Sequence, residues 1–153
     1  MLERKMGPGF PVKLTGGKLR LFMQVHRNID TLPSFANAVL TIGTFDGVHE
    51  GHKKILHALK EEASKVKGES VLVTFHPHPR NIVQPGKPLQ LINTMEERLA
   101  LLSQAGIDHL VIVPFTSAFA EQTAEAYIRD FLMKNFQPSM IIIGYDHRFG
   151  KNR

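Results

Sequence analysis

Residues 39–56 read VLTIGTFDGVHEGHKKIL, and this stretch constrains the fold more than any other. A β-branched and aliphatic run, Val39, Leu40, Thr41 and Ile42, halts at Gly43. A turn segment follows, and from about Gly51 the apolar residues Ile55, Leu56 and Leu59 recur at helical spacing. The unbroken apolar character of the first run predicts a strand buried on both faces, as in a parallel sheet. The first amides of the helix that follows lack intrahelical partners and lie at the positive end of its dipole, which suits an anion. There the chain places His49 and His52 around Glu50 and Gly51. Gly51 lets a ligand approach the backbone, and two imidazoles can donate hydrogen bonds to phosphoryl oxygens as charge develops. The same pair also fits half of a metal site, or a solvated helix start with Lys53 and Lys54 outward. The absence of cysteine and of a third ligand at helical or hairpin spacing argues against zinc.

Strand and helix signals alternate through the rest of the chain. A short strand is expected over 23–25, and 28–38 reads as a loop around Pro33. The helix over about 51–66 buries Ile55, Leu56, Leu59, Ala63 and Val66 on one stripe and ends at Gly68. Residues 70–75, SVLVTF, form a second core strand that runs into His76-Pro77-His78-Pro79. A residue before proline is held extended, so this segment predicts a stiff rim at the strand's carboxyl end, where ligands of open α/β sheets bind. Residues 81–88 read as a mobile flap turning at Pro85-Gly86. Thr94-Met95-Glu96-Glu97 is a capping box for a helix that Gly106 closes, with Leu99, Leu102 and Ala105 inward. A third strand spans 109–113 and stops at Pro114. A helix over about 123–135 then turns Ala124, Tyr127, Ile128, Phe131 and Leu132 inward. Residues 139–143 form a fourth, buried strand that delivers Gly144 and Asp146 to the edge carrying His49 and His76. This alternation predicts a Rossmann-like three-layer α/β domain, with a mostly parallel sheet, right-handed crossovers and helices on both faces. No G-x-G-x-x-G occurs, which argues against a dinucleotide-binding dehydrogenase.

At 153 residues, 42% hydrophobic and 22% charged, the chain has the size and composition of one globular domain. No apolar run approaches the roughly 20 residues that span a bilayer, so no membrane partner is expected. With no cysteine and no visible secretory signal, a cytoplasmic location is expected. The basic balance invites nucleic acid, but Arg4, Lys5, Lys13, Lys18 and Arg20 against Glu3 place +4 of the formal +5 in residues 1–22. A folded nucleic-acid binder would carry its basic stripe on its own elements, so no specific nucleic acid is expected. Gly7, Pro8, Gly9, Pro11, Gly16 and Gly17 break up residues 1–22, which read as a disordered leader or extension, with the body starting at Met23.

Three segments narrow the reading: Gly43-Thr44-Phe45-Asp46-Gly47-Val48-His49 with Gly51-His52, Thr74-Phe75-His76-Pro77-His78-Pro79-Arg80, and Gly144-Tyr145-Asp146-His147-Arg148-Phe149-Gly150. The first resembles the HxGH signature of the nucleotidyltransferase superfamily. The three in this order and spacing resemble the FMN adenylyltransferase domain of bacterial bifunctional riboflavin kinase/FAD synthetases, over residues 23–153. A lone HxGH is weak evidence, whereas three ordered motifs are strong. The resemblance implies transfer of AMP from ATP to FMN, giving FAD and pyrophosphate in riboflavin and FAD biosynthesis, with Mg²⁺ bridging the phosphates. It implies a catalytic role for His49 and His52, and ATP contacts for Gly43, Thr44, Phe45, Asp46 and Gly51. It implies flavin contacts for Phe75, His76, Pro77, His78, Pro79, Asp146 and Phe149, and no protein metal ligand. Where the family has an aromatic this chain has His147, which can still stack.

Members of that family carry, beyond the segment matching 144–150, a second phosphate-binding motif of the I-S-S-T-x-x-R type and then a riboflavin kinase domain. Neither occurs before Arg153. The expectation is therefore that 23–153 is an N-terminal adenylyltransferase domain truncated before that motif. Such a species would form little FAD by itself, have no flavokinase activity, and self-associate through exposed apolar surface. Two other readings stay open. One is a different HxGH nucleotidyltransferase acting on pantetheine phosphate, nicotinate mononucleotide or a polyol phosphate. The other is a nucleotide- or RNA-binding module without catalysis that uses the basic leader.

Overall fold

The computed structural model describes residues 23–87 and 89–144, together with the backbone of 13–15 and 18–20. Strands β1 (Lys13–Thr15) and β2 (Lys18–Arg20) form an antiparallel pair inside the stretch where the sequence predicts no regular structure. Five further strands make one sheet: β3 (Gln24–His26), β4 (Val39–Ile42), β5 (Ser70–His76), β6 (His109–Pro114) and β7 (Met140–Ile142). Their order is β3-β6-β5-β4-β7, and every neighbouring pair is parallel. Residues alternate between the two faces of this sheet. Leu40, Ile42, Val71, Val73, Val111 and Val113 point into one core layer, and Val39, Leu72, Leu110 and Ile112 into the other.

The second layer is covered by α1 (Glu50–Lys65), through Leu56, Leu59 and Ala63, and by α3 (Met95–Ala105), through Leu102. The capping box of α3 is present in both directions: Thr94 Oγ1 accepts from the Glu97 amide at 3.2 Å, and Glu97 Oε2 accepts from the Thr94 amide at 2.9 Å. Gly106 ends α3 in the left-handed conformation (φ 71°), which favours glycine. The opposite face is covered by a continuous helical segment comprising α5 (Ala124–Ala126), a π-helical stretch (Tyr127–Met133) and α6 (Lys134–Phe136). With helices on both faces of a parallel sheet, this is the three-layer Rossmann-like α/β architecture expected from the sequence. No described helix is long and apolar enough to cross a membrane.

Three local expectations are corrected. In the π-helical stretch each turn takes an extra residue, so the buried side chains are Tyr127, Phe131, Leu132 and Phe136, while Ala124 and Ile128 face outward. Residues 79–83, within the expected rim and flap, and 117–120, in the connection between the third strand and the next helix, form short helices α2 (Pro79–Val83) and α4 (Ser117–Ala120). Strand β7 is not buried: among the described strands it pairs only with β4, and Met140 and Ile143 are exposed.

The topology also fixes where a ligand can enter. From β4 the chain steps through β5 to β6 in one direction, then returns across the other face to place β7 on the far side of β4. The connections leaving β4 and its neighbours thus diverge, opening a crevice at their carboxyl ends.

Candidate active site

The segment after β4 is an unusual piece of backbone. Phe45 (φ 49°), Gly47 (φ 80°) and Val48 (φ 32°) all adopt positive φ within four residues. For a β-branched residue such as Val48 this is a genuine outlier, and outliers of this kind cost of order 1–3 kcal/mol each. Both strained side chains are buried, Phe45 under the loop and Val48 against the α1 layer, so tertiary packing holds the conformation.

Polar contacts complete it. The Asp46 carboxylate accepts from the amides of Ile92 and Asn93 at 3.0–3.1 Å, and the Gly47 amide donates to Asn93 Oδ1 at 3.0 Å. Burial opposes ionisation of Asp46, but those two amides, with Arg98 and His78 nearby, outweigh it and hold the carboxyl below its usual range. Beneath the loop, the Thr44 carbonyl accepts from Arg98 Nη1 at 2.8 Å and from the Thr74 hydroxyl at 3.3 Å. Arg98 is only 3% exposed, and its Nε finds no partner among the described residues.

His49 is the residue before the first turn of α1, and its side chain makes no capping bond. The opening amides of the helix are therefore not covered by a side-chain acceptor. The His49 ring stacks on His52 at a centroid distance of 3.8 Å, with 22° between the planes, and His52 in turn leans on Phe45 at 4.7 Å. Three rings thus form a ladder from the core to the surface. Burial first, and His49 second, push the His52 imidazole below the ordinary histidine range, with Asp46 partly offsetting them, so His52 is neutral at physiological pH. Gly51 is placed so that a Cβ would lie 3.1 Å from His49 Cε1 and 3.2 Å from His49 Nδ1.

A cavity of about 880 Å³ opens in front of this ladder. It brings together His49, His52, Gly43, Thr44, Phe45 and Gly51 with Phe75 and Pro79 of the second motif. It also includes Arg80, Val83 and Gln84 from α2 and its end, Phe115 after β6, and Ile143 and Gly144 after β7. Asp46, His76, Pro77 and His78 do not line it. Asp46 is engaged with residues 92 and 93, and His78 caps α2 by accepting from the Arg80 amide at 3.2 Å. His76, exposed, closes β5, and the His76–Pro77 peptide is cis. Asp146, His147 and Phe149 lie outside the described residues. Among the described residues no group of three or more His, Asp or Glu side chains is arranged to hold a metal.

The profile of FAD synthetase matches residues 32–153. The chain belongs to the FAD synthetase family. It is 34% identical over 135 residues to the bifunctional riboflavin kinase/FMN adenylyltransferase of Escherichia coli (strain K12), covering 88% of this chain and 42% of that protein. The protein of the same description from Bacillus subtilis (strain 168) is 31% identical over 117 residues, covering 76% of this chain and 37% of that one. The chain therefore spans about two fifths of the length of these relatives. A crystal structure described as a macrolide-efflux protein from Streptococcus pneumoniae superposes with a TM-score of 0.75 at 26% identity, over 84% of this chain and 44% of that one.

In this FAD synthetase chain several contributors to the site are not marked by the sequence: Val83, Gln84, Phe115 and Ile143 in the lining, and Arg98, Ile92 and Asn93 behind the loop. Arg98 lies on the same apolar stripe of α3 as Leu102, and a charged residue on a buried stripe was the available signal. Ile92 and Asn93, 46 residues downstream of Asp46 and Gly47, carried no such signal.

Proposed function

We propose that this domain catalyses adenylyl transfer from ATP to FMN, yielding FAD and pyrophosphate, in the cytoplasm. The observation that carries this reading is the shared cavity: the stacked His49 and His52 at the start of α1 face an apolar wall made by Phe75, Pro79, Val83 and Phe115. Its volume, about 880 Å³, falls within the range of small-molecule sites. The family membership and the bifunctional relatives support the same chemistry.

In this reading the ATP triphosphate lies over the opening amides of α1, with Gly43, Thr44, Phe45 and Gly51 forming the floor beneath it. Gly51 leaves room for close approach of the α-phosphate. The FMN phosphate oxygen attacks the α-phosphorus; the new P–O bond forms as the bond from Pα to the bridging oxygen breaks, and pyrophosphate departs with that electron pair. No enzyme nucleophile is required, because the phosphate is already one, so the protein's task is positioning and charge stabilisation. Neutral His52 and its stacked partner His49 would donate N–H groups to the α-phosphoryl oxygens as negative charge grows there. Asp46 serves this site from behind, by holding the loop to residues 92 and 93.

The flavin ring would lie against Phe75, Pro79 and Phe115, with roles for Asp146 and Phe149 as family resemblance implies. Mg²⁺ supplies charge neutralisation on the phosphates in such reactions. The described lining contains no carboxylate to hold it, so the ion would arrive on the triphosphate. The test is twofold. FMN added to the protein should show fluorescence quenching, and the full-length protein given ATP, FMN and Mg²⁺ should release FAD and pyrophosphate. Absence of both, or equal turnover with a polyol phosphate in place of FMN, would refute the reading.

A further inference from the structure

An adenylyl transfer brings two polyanions to one centre, and the cavity is unevenly equipped for them. On the α1 side the donor's phosphates meet helix amides and two imidazoles. The acceptor's phosphate must come from the opposite side, in line with the leaving group, and it needs a counter-charge of its own. Among the described residues that line the cavity there is no Asp, no Glu and no Lys, and the one permanently charged side chain is Arg80. It stands in the first turn of α2, on the same side as the apolar wall of Phe75, Pro79 and Val83.

Arg80 is placed for a ligand and not for the fold. Its backbone is fixed: Pro79 presets the first helical position and the Arg80 amide donates to His78 Nδ1 at 3.2 Å. Its side chain is exposed and, among the described residues, makes no hydrogen bond or ion pair. An arginine held at its backbone, free at its guanidinium and facing a cavity without carboxylates matches the bidentate geometry in which arginine binds phosphate oxygens.

We propose that Arg80 anchors the phosphate group of the acceptor substrate, which is FMN in the reading above, on which this assignment rests. Arg80 thereby selects a phosphorylated acceptor over its dephosphorylated form and aligns the attacking oxygen with the α-phosphorus.

The experiment compares FMN with riboflavin, which differ by that phosphate alone. Both are titrated by flavin fluorescence against the wild type, Arg80→Gln and Arg80→Lys, with ATP affinity measured in parallel. The expected result is that Arg80→Gln weakens FMN binding about tenfold or more, leaves riboflavin and ATP within about twofold, and that Arg80→Lys restores part of the loss. Equal changes for FMN and riboflavin, or no change for either, would overturn the assignment, as would a loss confined to ATP, which would put Arg80 on the donor. A wild type that binds neither flavin would instead remove the proposed function itself, before any variant is made.

Discussion

Replacing Gly51 by alanine separates stability from chemistry at this site. A Cβ at this position would lie 3.1 Å from His49 Cε1 and 3.2 Å from His49 Nδ1, a few tenths of an ångström inside ordinary contact. Only the far end of an exposed imidazole has to yield, so the fold loses little. Gly51 is in the first turn of α1 with an ordinary φ, where alanine is the better helix former and restricts the unfolded chain more. The expected stability change therefore runs from about 0 to 1 kcal/mol in the stabilising direction. Catalysis should respond the other way. His49 is kept in place by its 3.8 Å stack on His52, and a Cβ wedged against its edge turns it off that stack. Losing a preorganised donor outright costs about 2.7–4 kcal/mol of barrier, and a misplacement of about 1 Å costs roughly a hundredfold. A shift of a few tenths of an ångström should therefore cost less than that and lower kcat/KM for FAD formation about 3- to 10-fold. Thermal melts of the variant together with FAD release by the full-length protein test this. Wild-type activity in a Gly51→Ala protein would refute the role given to the His49 position, and a lower melting temperature would refute the packing argument.

Removing either imidazole, His49→Ala or His52→Ala, should cost up to about 2.7–4 kcal/mol in the barrier with the fold retained, read from FAD formation and from circular dichroism; full activity in either would deny that residue its role. Arg98→Met exchanges a charge-assisted hydrogen bond to the Thr44 carbonyl, worth about 1.5–3 kcal/mol, for release of a buried guanidinium whose unpaired Nε costs about 1–3 kcal/mol. The melting temperature should hardly move while ATP affinity falls, and unchanged ATP binding would show that the loop does not need this pin. Burial is the first cause of lowered pKa values at His26, His52 and His78. The unfolded chain then takes up protons near the ordinary value of about 6.5 while the native state does not. Stability should be level above that pH and fall as pH drops below it, which urea midpoints between pH 8 and 5 would show; a constant or rising midpoint would contradict the burial of these rings.

What could be read from the sequence is what local chemistry decides. The apolar run of β4, the Thr94 capping box and the Gly106 stop each depend on residues within a few positions of one another, and all three stand as expected. The π-helical stretch does not, because the inward face of 127–136 is set by Tyr127, Phe131 and Phe136 meeting Phe119 and Phe35 from elsewhere in the chain. An ideal helical period assigned Ile128 to the core, and tertiary packing turned it out. β7 read as buried because three successive isoleucines resemble a central strand, yet strand order is a property of the whole topology. Asp46 is the instructive case at the site. Its motif marks it as close to the nucleotide, but its oxygens are taken by amides 46 and 47 residues away, which no local pattern announces.

The two sides of the cavity are built to different standards, and this bears on how their substitutions should differ. The loop from Gly43 to His49 is held from three directions, by Arg98 and Thr74 on the Thr44 carbonyl, by residues 92 and 93 on Asp46 and Gly47, and by burial of Phe45 and Val48. Its positive-φ residues persist only because of that support, so this loop is ordered before any ligand arrives. The opposite wall rests on α2, a five-residue helix followed by exposed residues 84–87 and with Val83 60% exposed. Few buried contacts mean a low cost of local rearrangement. Substitutions that loosen the first side should act on ATP binding and where charge develops, and so on the KM for ATP and on kcat. Those on the apolar part of α2, such as Val83, should act on acceptor KM, because that surface contributes to binding the flavin in ground and transition states alike. If a loop variant such as Arg98→Met changed only the KM for FMN, the division of labour between the two walls would be wrong.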